Sequence, residues 1–414
     1  MSAHFQVIYS VITRTRRKDV KTNPSSHWKK GKDIIWYFAK AALVACLVIG
    51  AKVGFEHLQW SHRIEILAFE FLQGVMPQFS STDRLPVFVV DMSKIPGGKD
   101  SVTLRADLRN LIEAIVKQRP KAVAIDVDFS PDEKGWRDDN DPAFFNFCLD
   151  ISKQTGIPVF LGVYRTRMAL PDTWLGSAKY KDLAVDIMFP AEVFRVPLKF
   201  PRSGQLPALS AALADAYAKP DALPEPPQWL KRVVKRPQEG ILVNYSKLDQ
   251  IKHETLPLTN PTCVTEFGRP FFDGRMVLIG DATGALDHRY VPGRFETAPG
   301  VYVHACAAYT LAKEPLYEPT LKAKIVADVI VALLVILGVA WARFRHVEAE
   351  SPFSWHSLEF KWINRAIVLV SIVGIVLVRW AGIMWLDFLL VIYALRLHPN
   401  VEQWFKDLWG RKKT

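Results

Sequence analysis

The stretch KAVAIDV, residues 121–127, is a run of small and β-branched apolar residues that stops at an acid. LPVFVVD at 85–91 and RMVLIGD at 275–281 read the same way. A strand that is apolar on both faces is one covered on both faces, the habit of parallel sheets. Between the first two runs lies TLRADLRNLIEAIVKQRP, residues 103–120. Its apolar positions Leu104, Leu108, Leu111, Ile112, Ile115 and Val116 fall on one helical face. Strand, helix and strand at this spacing make a βαβ unit. Residues 142–155 predict a further helix, IPVFLGVY at 157–164 a third strand, and ILVNY at 241–245 another. PGVYVHACAAYTLAK, 299–313, predicts a closing helix. The segment 165–238 is proline-rich and irregular except for a short Ala-rich helix at ALSAALADAYA.

Four apolar runs flank this domain. IIWYFAKAALVACLVIGAKVGF at 34–55 and AKIVADVIVALLVILGVAW at 323–341 have the length of a bilayer-crossing helix. AIVLVSIVGIVLV at 366–378 and RWAGIMWLDFLLVIYALRL at 379–397 follow, broken by Arg379, Gly382 and Asp387. They read as two short helices with a turn near 379–382, or as one tilted span. The expected fold class is therefore α/β, an extracytoplasmic domain with a mainly parallel sheet flanked by helices, plus a transmembrane helical bundle. The expected organisation is a basic cytoplasmic tail at 1–33, a span at 34–55, the extracytoplasmic α/β domain at 56–322 and a second span at 323–342. A cytoplasmic loop at 343–365, a helical hairpin at 366–397 and a basic tail at 398–414 complete it. EHLQWSHRIEILAFEFLQGV, from residue 56, predicts a helix joining the first span to the domain, with Ile64, Leu67, Ala68, Phe71 and Leu72 on one face.

The chain of 414 residues carries a formal net charge of +11. The basic excess gathers beside the apolar runs, at the N-terminal tail, around Arg343, Arg345, Lys361 and Arg365, and at Lys406, Arg411, Lys412 and Lys413. That placement favours a membrane over nucleic acid, and it puts both termini in the cytoplasm by the positive-inside rule. Of the four cysteines, Cys46, Cys148, Cys263 and Cys306, none forms a CxxC pair, so neither a metal knuckle nor a disulfide framework is expected. Leu43 to Cys46 resembles a lipoprotein box, but the residues after it stay apolar.

The acids Asp91, Asp126, Asp128, Asp281 and Asp287 collect at the carboxyl ends of the predicted strands, where open α/β sheets bind ligands. His304 opens the closing helix. Arg105 and Arg289 are the expected counter-charges. Three readings stay open. AIDVDFS and VLIGDATGALD resemble the motifs of haloacid dehalogenase-type phosphatases, although the spacing from Asp281 to Asp287 is longer than in that family. The cluster can instead be a non-catalytic pocket for a hard cation or a basic ligand group. The acids can also be plain caps of turns. Gly-rich phosphate loops, HExxH and GxSxG are absent from the sequence.

The order of motifs resembles the type-2 CHASE domain family, extracellular sensory domains found with bacterial cyclases and histidine kinases. The resemblance rests on VFVVDMS, on Arg105 in TLRADLRNLIEAI, on AVAIDVDFSP and on ILVNY. It rests most on FFDGRMVLIGDATGALDHRYVP followed by APGVYVHACAAYTL, with Gly274, Gly280, Asp287, Pro292, Pro299, Gly300, His304 and Ala305 at the family's spacing. It implies an inner-membrane sensor, not an enzyme, with no cofactor. A small ligand, ion or envelope protein would bind outside, and a separate cytoplasmic or membrane partner would receive the signal. Homo-oligomers are compatible with it. Members often carry an output domain after the last span; this sequence ends at Thr414, so a stand-alone form is expected. A structural subunit of an envelope complex is the further alternative.

Overall fold

The computed structural model describes residues 50, 59–76, 84–95, 103–132, 135–164, 173–189, 195–196, 198, 206–218, 226, 228–234, 241–258, 271–283, 287–294, 296–346 and 354–386. Apart from residue 50, the span expected at 34–55 lies outside them, as does Asp387.

Six parallel strands form the central sheet. They are β1 (Val87–Asp91), β2 (Ala122–Ile125), β3 (Val159–Val163), β4 (Ala184–Asp186), β7 (Leu256–Pro257) and β8 (Met276–Gly280), in the order β4-β3-β2-β8-β1-β7. Two short antiparallel pairs stand apart: β5 (Arg195–Val196) with β6 (Ile241–Leu242), and β9 (His288–Val291) with β10 (Glu296–Pro299). The helices are α1 (Gln59–Val75), α2 (Arg105–Val116), α3 (Asp141–Thr155), α4 (Leu209–Ala218), α5 (Leu248–Glu254), α6 (Gly300–Ala312), α7 (Leu321–His346) and α8 (Ser354–Ala381).

The period-two alternation of the strands sorts their side chains into two cores. Phe88, Val90, Val123, Ile125, Val277 and Ile279 face α2 and α3. Val87, Val89, Ala122, Ala124, Met276 and Leu278 face α4, α5, α6 and α1. The result is a three-layer sandwich. Helix α6 is buried from Gly300 to Leu311 because it lies between the sheet and α4; the small residues Ala305, Ala307 and Ala308 opposite Ala211 and Ala212 let the two axes come close. Helix α3 starts where Pro142 presets the first turn and the Asp141 carboxylate accepts the backbone N–H groups of Arg137 and Asp138, both at 3.0 Å. It ends at Gly156, whose φ of 72° is left-handed.

Several expectations need correction. ILVNY adds no strand to the main sheet; only Ile241–Leu242 is extended, and it pairs with β5. Its polar Asn244 and Tyr245 are drawn off by side chains instead of a ladder. The irregular segment supplies the edge strand β4. On α1 the inward face runs through Ala68, Phe69 and Leu72, whereas Leu67 and Phe71 are 56% and 44% exposed. Helix is also longer than expected around 343–365: α7 runs to His346 and α8 begins at Ser354. Helix α8 ends at Ala381 and Gly382 follows with φ 62°; residues 387–397 of the expected hairpin lie outside the described residues. Among the described residues no helix is long and apolar enough to cross a membrane; the side chains of α7 are described only as far as Leu337. Cys148 and Cys306 are free and buried in the two opposite cores.

Candidate functional site

Strands β2 and β8 are neighbours, but the chain leaves them toward opposite faces. After β2 it passes to α3 in one layer; after β8 it makes the β9–β10 hairpin and enters α6 in the other. Adjacent strands whose connections diverge open a crevice at their carboxyl ends. Asp126 and Asp281 are the first residues beyond β2 and β8, so the fold brings both to that crevice.

Asp126 is the centre of the cluster. Burial, then the charges of Asp287 and Asp281, push its carboxyl from 3.8 up to about 8, so it holds a proton at neutral pH. His304, on the second turn of α6, places Nε2 at 3.9 Å from Asp126 Oδ1 and at 3.4 Å from the Ile187 carbonyl oxygen. Its ring stacks on Phe189 with centroids 4.1 Å apart. Burial lowers the imidazole from 6.5 to about 3; the Ile187 carbonyl opposes this and Arg289 reinforces it. A neutral ring that donates through Nε2 leaves Nδ1 a bare acceptor, and Nδ1 is buried without a partner among the described residues.

Asp287 stands at the other wall. Its Oδ1 accepts from Arg289 Nη2 at 2.7 Å, and its backbone carbonyl accepts from Gly300 N at 3.0 Å. Arg289 also covers Phe189, 5.6 Å from the ring centroid. Two glycines make room. A Cβ on Gly280 would lie 2.9 Å from Val301 Cγ2 and 3.1 Å from Asp126 Cβ, and one on Gly300 would overlap the Asp287 carboxylate. Asp281 accepts from its own turn, from Thr283 N at 2.7 Å and Thr283 Oγ1 at 2.6 Å.

The other expected residues sit at the edge of this group or away from it. Asp91 ties two strand ends together: it accepts from Ser93 N at 2.9 Å, Ser93 Oγ at 3.1 Å and Ala282 N at 3.1 Å. Asp128 turns to a separate network with Ser130, Tyr164 N at 3.2 Å and Arg137 Nη1 at 2.8 Å. The two acids of AIDVDFS therefore do not converge, one being protonated and the other paired. Arg105 does not balance the cluster. It is buried at the start of α2, bonded to Asp141 at 2.5 Å and lying over Phe129 at 4.5 Å. Among the described residues no group of three or more His, Cys, Asp or Glu is arranged to hold a metal ion. Phe189 and Ile187 come from the irregular segment, where nothing in the sequence marks them.

What the site touches sets its consequence. The hairpin that begins beside Asp287 reaches α1: Tyr290 Oη donates to Glu70 Oε1 at 3.0 Å, and Gly293 packs without a side chain against the backbone of Glu70 and Gly74. Farther along α1, Gln73 bonds to Tyr245 N at 2.9 Å and the Val243 carbonyl at 3.3 Å, while Asn244 bonds to Thr310 and Glu314 at the end of α6. Arg195 adds a second bridge, to Glu65 of α1 at 3.7 Å and to Glu318, just before α7, at 2.6 Å. One cluster thus stands at the root of both elements that lead toward α1 and α7.

No curated protein and no solved structure matches this chain. A family model, the CHASE2 domain, matches residues 42–341, most of the chain. The matched region contains the whole parallel sheet, the acid cluster and α6. The chain belongs to the CHASE2 domain family, a family of sensory domains.

Proposed function

We propose that the chain is a membrane-anchored extracytoplasmic sensor that binds a small cationic ligand at the Asp126–Asp287–His304 cluster and passes the signal through its membrane helices to a separate partner. The observation that carries this reading is the position of the cluster, at the shared root of the hairpin that grips α1 and of helix α6 that leads to α7. Three carboxylates face one guanidinium there, and a proton on Asp126 offsets only part of the deficit, leaving the cluster net negative. A ligand amine or guanidinium is the charge that would replace that proton. Such a ligand would ionise Asp126 and find the bare Nδ1 of His304 as an acceptor. The donor set suits an organic cation better than a metal ion.

Membrane anchoring draws support from α7 and α8. Val326, Val329, Ile330, Leu333 and Leu337 on α7, and Val368, Leu369, Ile372, Val373 and Val376 on α8, are exposed apolar side chains of the kind that face lipid. The basic segments beside the apolar runs support a topology with both termini in the cytoplasm and the large domain outside. The phosphatase alternative gains nothing from the geometry, since a protonated Asp126 is a poor nucleophile and Asp128 is bound elsewhere.

Calorimetric titration of the full chain with a panel of small amines and guanidines tests the ligand class. Run at pH 7 in two buffers of different ionisation enthalpy, binding should release close to one proton, and Asp126→Asn should abolish the release. Binding of anionic or neutral metabolites alone, with no proton released, would overturn the cationic reading.

A further inference from the structure

A second candidate site lies at the far end of α6 from His304. A cavity of about 390 Å³ opens where the end of α1, the turn at 228–234, the linker from α6 to α7 and the end of α8 meet. The seam is built, not incidental. Tyr317 N donates to the Gly382 carbonyl at 2.6 Å and Met384 N to the Tyr317 carbonyl at 2.8 Å, locking linker to helix end. Gly382 is required there, because it combines a φ of 62° with a contact against the Pro315 carbonyl that leaves no room for a Cβ.

The wall has two characters. Val75 and Met76 of α1, and Ile375 and Val378 of α8, make an apolar half. Arg379 and Lys313 supply positive charge to the other half. Arg379 is exposed and has no ion pair or hydrogen bond among the described residues, so its guanidinium is open to an incoming anion. Ser246 lines the same cavity, is 7% exposed, and its hydroxyl is buried without a partner. Glu314 also lines it, but its carboxylate already accepts from Asn244 Nδ2 at 2.9 Å and from the Tyr309 hydroxyl. Trp380 (86% exposed) and Trp229 (68%) flank the opening, in the manner of tryptophans at a membrane–water interface.

We infer that this cavity binds an anionic lipid, its phosphate held by Arg379, Lys313 and the Ser246 hydroxyl and its chain laid along the apolar side of α1 and α8. The inference rests on the membrane-anchored reading but not on the ligand of the acid cluster. An occupied cavity would bind α1, the α6–α7 linker and α8 into one body, so lipid composition would set how firmly the domain couples to its helices.

The test uses the full chain in nanodiscs of phosphatidylcholine, alone or with phosphatidylglycerol. Alkaline carbonate washing of the parent membranes is the first step. Release of the chain by carbonate would remove the anchoring and with it this site. Native mass spectrometry should then find phosphatidylglycerol retained at least about tenfold over phosphatidylcholine, roughly 1.4 kcal/mol of preference. Arg379→Gln should abolish the preference, and Arg379→Lys should restore part of it. Equal retention by wild type and Arg379→Gln would overturn the inference. So would stabilisation by inorganic phosphate or glycerol phosphate matching that of the lipid, which would make the site one for a free anion.

Discussion

Replacing Asp126 with Asn changes how stability depends on pH, and the size of the change follows from the two titrating groups at the site. In the unfolded chain Asp126 and His304 titrate at 3.8 and 6.5; in the folded domain they titrate at about 8 and about 3. Each group alone has a definite sign. Asp126 is raised, so its contribution is fully present below 3.8 and is lost as pH rises to about 8. His304 is lowered, so its contribution is present above 6.5 and is lost as pH falls toward 3. Between 3.8 and 6.5 both states of the pair hold one proton, on the acid when folded and on the imidazole when unfolded. The two slopes cancel there. Above 6.5 the unfolded pair loses its proton while the folded pair keeps it to about 8. Stability then falls by about 1.4 kcal/mol per pH unit across this window, or about 2 kcal/mol in all. For a domain of this size that is about 4–8 °C in Tm. Thermal melts of the full chain at pH 6.5 and 8 should show this fall in wild type. In Asp126→Asn the fall should shrink by that amount, because the remaining His304 contributes nothing further above 6.5. An equal fall in both proteins would refute the assignment of the proton to Asp126.

His304→Gln should leave the acid alone and extend the loss of stability down to about pH 4, read from the same melts. Asp141→Ala strands the buried guanidinium of Arg105 and removes the acceptor of two N–H groups at the start of α3; it should cost about 3–5 kcal/mol in denaturant unfolding. Gly300→Ala forces the Asp287 carboxylate out of its seat and should cost about 1–3 kcal/mol, while Gly156→Ala, which meets open space, should show only the smaller cost of its left-handed φ. Alkaline phosphatase fused after Thr414 should be inactive and a fluorescent fusion bright; the reverse would place that end outside. The purified chain should not hydrolyse a generic phosphate ester with Mg²⁺, and turnover abolished by Asp126→Asn would promote the phosphatase reading.

The parallel core was legible because its strands are covered on both faces and so are apolar throughout, and because Leu108, Leu111, Ile112 and Ile115 keep strict helical spacing. The short elements were not. Strands β4 and β7 take only three and two residues of ladder and draw their stability from neighbours far away in sequence. ILVNY has the composition of a strand, but Gln73 and Thr310, 172 and 66 residues distant, claim its backbone N–H groups. The convergence of Asp126, Asp281 and Asp287 followed from parallel strands sharing one edge. The divergence of Asp128 did not, since its partner Arg137 lies in a loop with no periodicity. Arg105 carried a charge that the sequence could place near the acids, but not the aromatic cage of Phe129 and Phe144 that holds it toward Asp141.

The proposed sensing role requires that ionisation of the buried cluster move α1 relative to α7. Nitroxide labels at Leu67→Cys and Val326→Cys, both exposed positions, report that distance by pulsed electron resonance in the full chain. At pH 6.5 Asp126 is protonated, and at pH 9 about nine-tenths is ionised if it titrates near 8. The account predicts a distance distribution that shifts between the two pH values in wild type and stays fixed in Asp126→Asn. Superimposable distributions in wild type at both pH values would contradict it.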